Sequence, residues 1–116
     1  MQEINISVYG TVGSSFCVEA DDGQKIYNLI EKSFKENKKI LLSFQNVEMI
    51  TTAFFNTAIG QLYRDFSEEE IKDNLSVENI LPTDIILLKR VVSTAKLYYQ
   101  NPERMQKSID EILEEE

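Results

Sequence analysis

The chain has 116 residues, 42% of them hydrophobic, which suits one compact domain with a real core and excludes global disorder. Twenty acids against twelve bases leave a formal charge of −8. No basic face is therefore offered to a phosphate backbone or to anionic lipid heads, and neither nucleic acid nor membrane is expected as a partner.

One cysteine rules out an intrachain disulfide framework. No apolar run follows a basic segment at the N-terminus, and none approaches the ~20 residues that cross a bilayer. The expected compartment is the cytoplasm.

Ile4, Ile6 and Val8 alternate with Asn5 and Ser7, the pattern of a half-buried strand. Gly10 and Gly13 punctuate it, and Phe16 to Val18 suit a second short strand. Asp21, Asp22 and Gly23 read as a turn in which either aspartate caps a helix. From Gln24 the period becomes helical, with a seam of Ile26, Leu29, Ile30 and Phe34 and a stop at Asn37. Lys35, Lys38 and Lys39 suit a cationic turn meeting the helix dipole. The run 38-KKILLSF-44 is nearly continuous, which predicts a strand inside the sheet and covered on both faces.

A second helix follows from near Ala53, with Phe55, Ala58, Ile59, Leu62 and Phe66 on one side. Ser67 and Glu70 have capping-box spacing for a short helix over 67–75, and 75–81 alternates as a strand. Pro82 opens the longest helix, 82–100, with a seam of Ile85, Leu88, Val92, Ala95 and Tyr99. Ile86, Leu87, Val91 and Tyr98 widen its apolar face beyond an ordinary stripe, which suits deep packing or a homodimer through this helix. Asn101-Pro102 interrupts it, so residues 1–102 make the domain. Residues 103–116 form an acidic C-terminal tail, with Met105, Ile109, Ile112 and Leu113 at helical spacing. The order predicts an α/β fold: a small mixed β-sheet with helices packed mainly on one side.

Catalytic chemistry is thin. There is no histidine, and Cys17 between Phe16 and Val18 reads as a core residue. No phosphate-loop motif occurs, and the runs Glu68–Glu70 and Glu114–Glu116 suit a helix start and a solvated tail. No catalytic residue, metal ligand or cofactor is expected. The alternative is a small-ligand sensor or enzyme with an acid- and hydroxyl-lined pocket. It requires Tyr9, Ser14, Ser15 or Asp22 to converge on Thr51 and Thr52.

The stretch 50-ITTAFFNTAIGQL-62 is the most informative. A threonine here caps the following helix, worth about 1 kcal/mol. The longer run 38-KKILLSFQNVEMITTAFFNTAIGQLYRDF-66 resembles the central strand, loop and helix of STAS domains, the fold of bacterial anti-sigma-factor antagonists. Val47 and Ile50 match the loop, and the motif of an aspartate, two small hydroxylated residues and a glycine falls on Thr51-Thr52-Ala53-Phe54. The fit is closer to the bacterial STAS-like domains of unknown function, and 87-LLKRVVSTAKLYYQNP-102 resembles their last helix.

The resemblance implies a STAS-like fold over roughly residues 4–102 and a regulatory role through protein contact. Its contact surface is the helix start, at Thr51, Thr52, Phe54, Phe55 and Asn56. A histidine-kinase-type ATPase domain is the implied partner. Thr52, then Thr51, are the implied phospho-acceptors, although Thr51 replaces the motif's aspartate and Phe54 its glycine. Phe54 and Phe55 diverge by about 100° on a helix, so they do not share one face. Burial is the default for Phe54, and an interface anchor is the alternative.

Overall fold

A computed structural model describes residues 2–100. In chain order the elements are β1 (Glu3–Ser7), α1 (Val8–Val12), β2 (Phe16–Cys17), α2 (Ala20–Lys35), β3 (Lys39–Ser43) and β4 (Met49–Ile50). Then follow α3 (Thr52–Phe55), a π-helical segment (Asn56–Gly60), α4 (Leu62–Asp65), α5 (Glu68–Asn74), β5 (Leu75–Glu78) and α6 (Pro82–Gln100). The architecture is α/β, as the alternation predicts. The proposed helical tail over 103–116 lies outside the described residues.

β3 lies at the centre of a three-stranded sheet of order β1-β3-β5. Both pairings are parallel, with Ile4 and Ile6 opposite Ile40 and Leu42, and these opposite Leu75 and Val77. The sheet is therefore parallel where a mixed one was expected. Each strand returns to the sheet through helices, and no tight hairpin joins neighbours.

Opposed residues of parallel strands share a face, so the apolar side chains gather on one side. Ile6, Ile40 and Leu42 are buried there. Glu3, Asn5, Lys39, Ser76 and Glu78 are exposed on the other side, with Leu41 half-buried among them. β3 is thus covered on one face only. Its continuous apolar run comes from Leu41 alone breaking the alternation.

Two short elements escape the sequence pattern. Val8 does not end a strand: Ser7 caps α1, accepting from the Gly10 N–H at 2.9 Å. The helix ends at Gly13, whose φ of 81° a side chain would resist. β4, read as loop, pairs in parallel with β2. The Ser15 carbonyl accepts from the Glu48 and Met49 N–H groups at 2.8 and 3.3 Å, and the Cys17 carbonyl from Thr51 at 3.2 Å.

α2 starts earlier than its pattern suggests. Glu19 is the N-cap, and Asp21 and Asp22 lie inside the first turn, where their charge favours the positive end of the dipole. Gly23 is consequently a buried helix residue and not a turn. A Cβ there would stand 2.5 Å from the Phe54 carbonyl oxygen, so glycine is what lets α2 cross α3 this closely. Ile26, Ile30 and Phe34 are buried as predicted, while Leu29 is 39% exposed. Asn37 ends the segment with φ 59°.

Helices α3 and α4 and the π segment between them form one run enclosed on several sides. α2 lies against Phe54, Phe44 of the strand end packs its ring on Phe55 with centroids 6.0 Å apart, and Gly60 sits where a methyl would touch Val91 and Ala95 of α6. Two buried faces explain how both phenylalanines go inside: Phe54 is 1% exposed and Phe55 fully buried.

On α6 the buried line is Val91 and Ala95, flanked by half-buried Leu87, Leu88 and Val92. Ile85 and Tyr99 of the predicted seam are only half-buried. Among the described residues no helix is long and apolar enough to cross a membrane.

Candidate functional site

The corner after β4 is built by Thr51. Its backbone is extended, with φ −111° and ψ 163°, and it is the N-cap of α3. Its Oγ1 accepts from the Phe54 N–H at 3.2 Å and donates to the Val18 carbonyl at 2.6 Å. One hydroxyl thus satisfies a free helix donor and ties the helix start to the end of β2. The half-buried Thr51 oxygen is committed in both directions.

Thr52, one residue on, is the first residue of α3 and is exposed. The two adjacent threonines therefore divide the roles: Thr51 caps, and Thr52 presents a hydroxyl to solvent.

Asn56 begins the π segment and is exposed. The Gln61 N–H reaches back to the Asn56 carbonyl at 3.1 Å, the five-residue step that widens this turn. Such segments are frequent at functional sites.

Phe54 and Phe55, both named as contact residues from the sequence, lie beneath the corner instead. Large aromatics filling the space between α2, the sheet and α6 cannot also meet a partner. They hold the surface residues in place. Of the five residues singled out, Thr52 and Asn56 reach the surface, Thr51 is locked, and the two phenylalanines are core.

The surface is completed by α6, which the sequence did not connect with the corner. Thr52 and Asn56 share a shallow pocket of about 120 Å³ with Leu87, Arg90, Val91 and Thr94. Asn56 and Thr94 also border an adjoining pocket of about 130 Å³ that runs past Gly60 to Tyr98 and Tyr99. The result is a furrow between the start of α3 and one side of α6. Arg90 is exposed and makes no ion pair among the described residues. Nothing in the spacing of 51–56 and 87–98 announces this pairing, because the two stretches meet only through the tertiary fold.

The hydroxyls and acids of the ligand-pocket alternative do not line the furrow beside Thr52. Ser14 Oγ accepts from the Phe16 N–H at 3.0 Å, Ser15 Oγ donates to Glu48 at 3.3 Å, and Asp22 pairs with Lys25 at 3.6 Å. Tyr9 is 42% exposed on α1. Cys17 is fully buried, and burial, with a smaller contribution from the Asp22 charge, pushes its thiol up to about 11. It stays protonated near neutrality and serves as a small core residue, as its neighbours suggested.

The model of the STAS-like domains of unknown function (DUF4325) matches residues 22–84, more than half of the chain. The chain belongs to that family. The matched stretch runs from the first turn of α2 to the first turn of α6 and contains β3, the Thr51 cap and the π segment. No curated protein and no solved structure matches the chain.

Proposed function

We propose that the chain is a non-enzymatic regulatory module that binds another protein through the furrow between the start of α3 and α6. The observation that carries this reading is the grouping of exposed Thr52, Asn56, Arg90 and Thr94 over a rigid floor. The floor is fixed by the Thr51 cap and by Phe54 and Phe55 beneath it. A preorganised surface of this kind loses little freedom on binding.

The partner to test first is a histidine-kinase-type ATPase domain, the one that the resemblance to STAS domains implies. The lack of histidine and the protonated, buried Cys17 support binding over catalysis. Thr52 is the candidate phospho-acceptor, with an exposed hydroxyl at a helix start. A phosphate there would add about −1.5 to −2 charge beside Arg90 and alter what the furrow accepts.

Two measurements test this. Affinity capture from the native cell compares the wild-type chain, Arg90→Glu and Leu29→Gln as baits. Leu29 lies on α2, away from the furrow. A partner retained by Leu29→Gln and lost with Arg90→Glu is the expected result; the same partners on all three baits would remove the furrow from the reading. Urea unfolding then separates the threonines. Thr51→Ala should cost about 1–2 kcal/mol and Thr52→Ala less than about 0.5 kcal/mol. Equal losses at both positions would make Thr52 structural and end its candidacy as a switch.

A further inference from the structure

A second, larger concavity lies on another side of α6. It holds about 270 Å³ between α5, β5 and α6, with Ile71, Leu75, Val77, Leu88 and Val92 as its apolar lining. Leu75, Leu88 and Val92 are half-buried and Val77 is 37% exposed, so the lining still meets water. The rim carries Lys72, Lys96 and Glu68. Lys96 is held by Glu68 at 2.7 Å beside the Tyr63 ring, and Lys72 makes no ion pair among the described residues. It is distinct from the furrow at Thr52, which faces Leu87, Arg90 and Thr94.

We propose that this groove is the docking site for the chain's own C-terminal segment, residues 103–116.

Three observations select that occupant. The segment leaves from the end of α6, and the groove stripe on α6 ends at Lys96, one turn before Gln100. In sequence, Asn101-Pro102 disfavours a straight continuation of the helix. In sequence, Met105, Ile109, Ile112 and Leu113 recur at the spacing that places side chains on one side of a helix. The polar remainder carries six acids and two bases, a net of −4, which complements Lys72.

Reach is sufficient. Drawn as a helix at about 1.5 Å per residue, fourteen residues would span about 21 Å, against about 12 Å from Leu88 to Lys96. A covalently attached segment also acts at a high effective concentration, so a weak contact suffices. Docked there, the segment would remove Leu75, Val77, Leu88 and Val92 from water and from any competing partner.

The test uses the full chain with a nitroxide on Lys107→Cys, opposite the apolar side of the segment, Cys17 being buried. Paramagnetic broadening is read on the methyls of Ile71, Leu75, Val77, Leu88 and Val92. Strong broadening is expected. It should fall several-fold in Ile109→Ser/Ile112→Ser, and fall also in Lys72→Glu, an exposed charge reversal that spares the core. Broadening equal in the parent and the seam variant, or absent in both, would overturn the proposal. So would broadening of isotope-labelled, nitroxide-free chains by added nitroxide-bearing ones, which would make the occupant a second copy.

Discussion

α2 and α6 are the two long helices among the described residues, 16 and 19 residues, and they are used in opposite ways. α2 buries Gly23, Ile26, Tyr27, Ile30, Ser33 and Phe34, and the Tyr27 hydroxyl meets the carboxylates of Asp65 and Glu31. α6 is richer in apolar residues, yet among the described residues it buries only Val91 and Ala95 and exposes Ile86, Leu97 and Tyr98. The difference lies in placement. α2 lies against α3 and the π segment, so one narrow stripe is used completely. α6 has neighbours on part of its circumference, and its surplus borders both the furrow at Thr52 and the groove beside Lys72. Apolar content beyond what the fold consumes is where recognition is to be sought.

The comparison breaks most easily at single isoleucines. Ile30→Ala should destabilise by about 2–5 kcal/mol, because the site is enclosed and a cavity remains. Ile86→Ala, at 61% exposure, should change stability by less than about 0.5 kcal/mol. Urea unfolding of the two variants decides. A large loss for Ile86→Ala would mean that α6 is covered by something in the native protein.

Close approach gives the second test. Gly23→Ala gains helix propensity, yet its Cβ meets the Phe54 carbonyl, a backbone atom that cannot rotate away. Separating the helices should cost about 1–3 kcal/mol net. The same substitution on an exposed helix would stabilise by up to about 1 kcal/mol. A Gly23→Ala variant as stable as the parent would show that α2 does not need its contact with Phe54.

Period carried most of the fold. β3 and the Ile26, Ile30 and Phe34 stripe follow directly from spacing, and Ser67 caps α5 through the Glu70 N–H at 3.1 Å, as the capping box predicts. The errors have common physical causes. β4 has two residues, with Met49 exposed and Ile50 buried, which is too short to show alternation. Leu29 fits the helical period, but the side it faces has no neighbour to bury it. The contact role given to Phe54 and Phe55 fails because the helix run has several buried faces, so both rings go inside, as the default reading of Phe54 had it.

The start of α3 was legible to within one residue. Two adjacent threonines identified the helix start, and only backbone geometry assigns the cap to Thr51 and the open hydroxyl to Thr52. Arg90 and Thr94 were not legible at all, since the crossing of α6 over the π segment unites stretches some forty residues apart.

The smallest effect concerns the end of α2. Glu19 has N-cap geometry, φ −100° and ψ 148°, but its side chain makes no capping bond. The extra methylene carries the carboxylate past the free N–H groups that a shorter acid reaches. Glu19→Asp keeps the charge near the helix dipole and supplies the cap, so it should stabilise by about 0.5–1 kcal/mol. Because α2 is held by packing, the gain should appear as a higher urea midpoint with an unchanged denaturant slope. A changed slope would mean that the start of α2 frays in the native state. Its anchoring would then depend on local capping more than on burial of Ile26, Ile30 and Phe34, and the contrast with α6 would weaken.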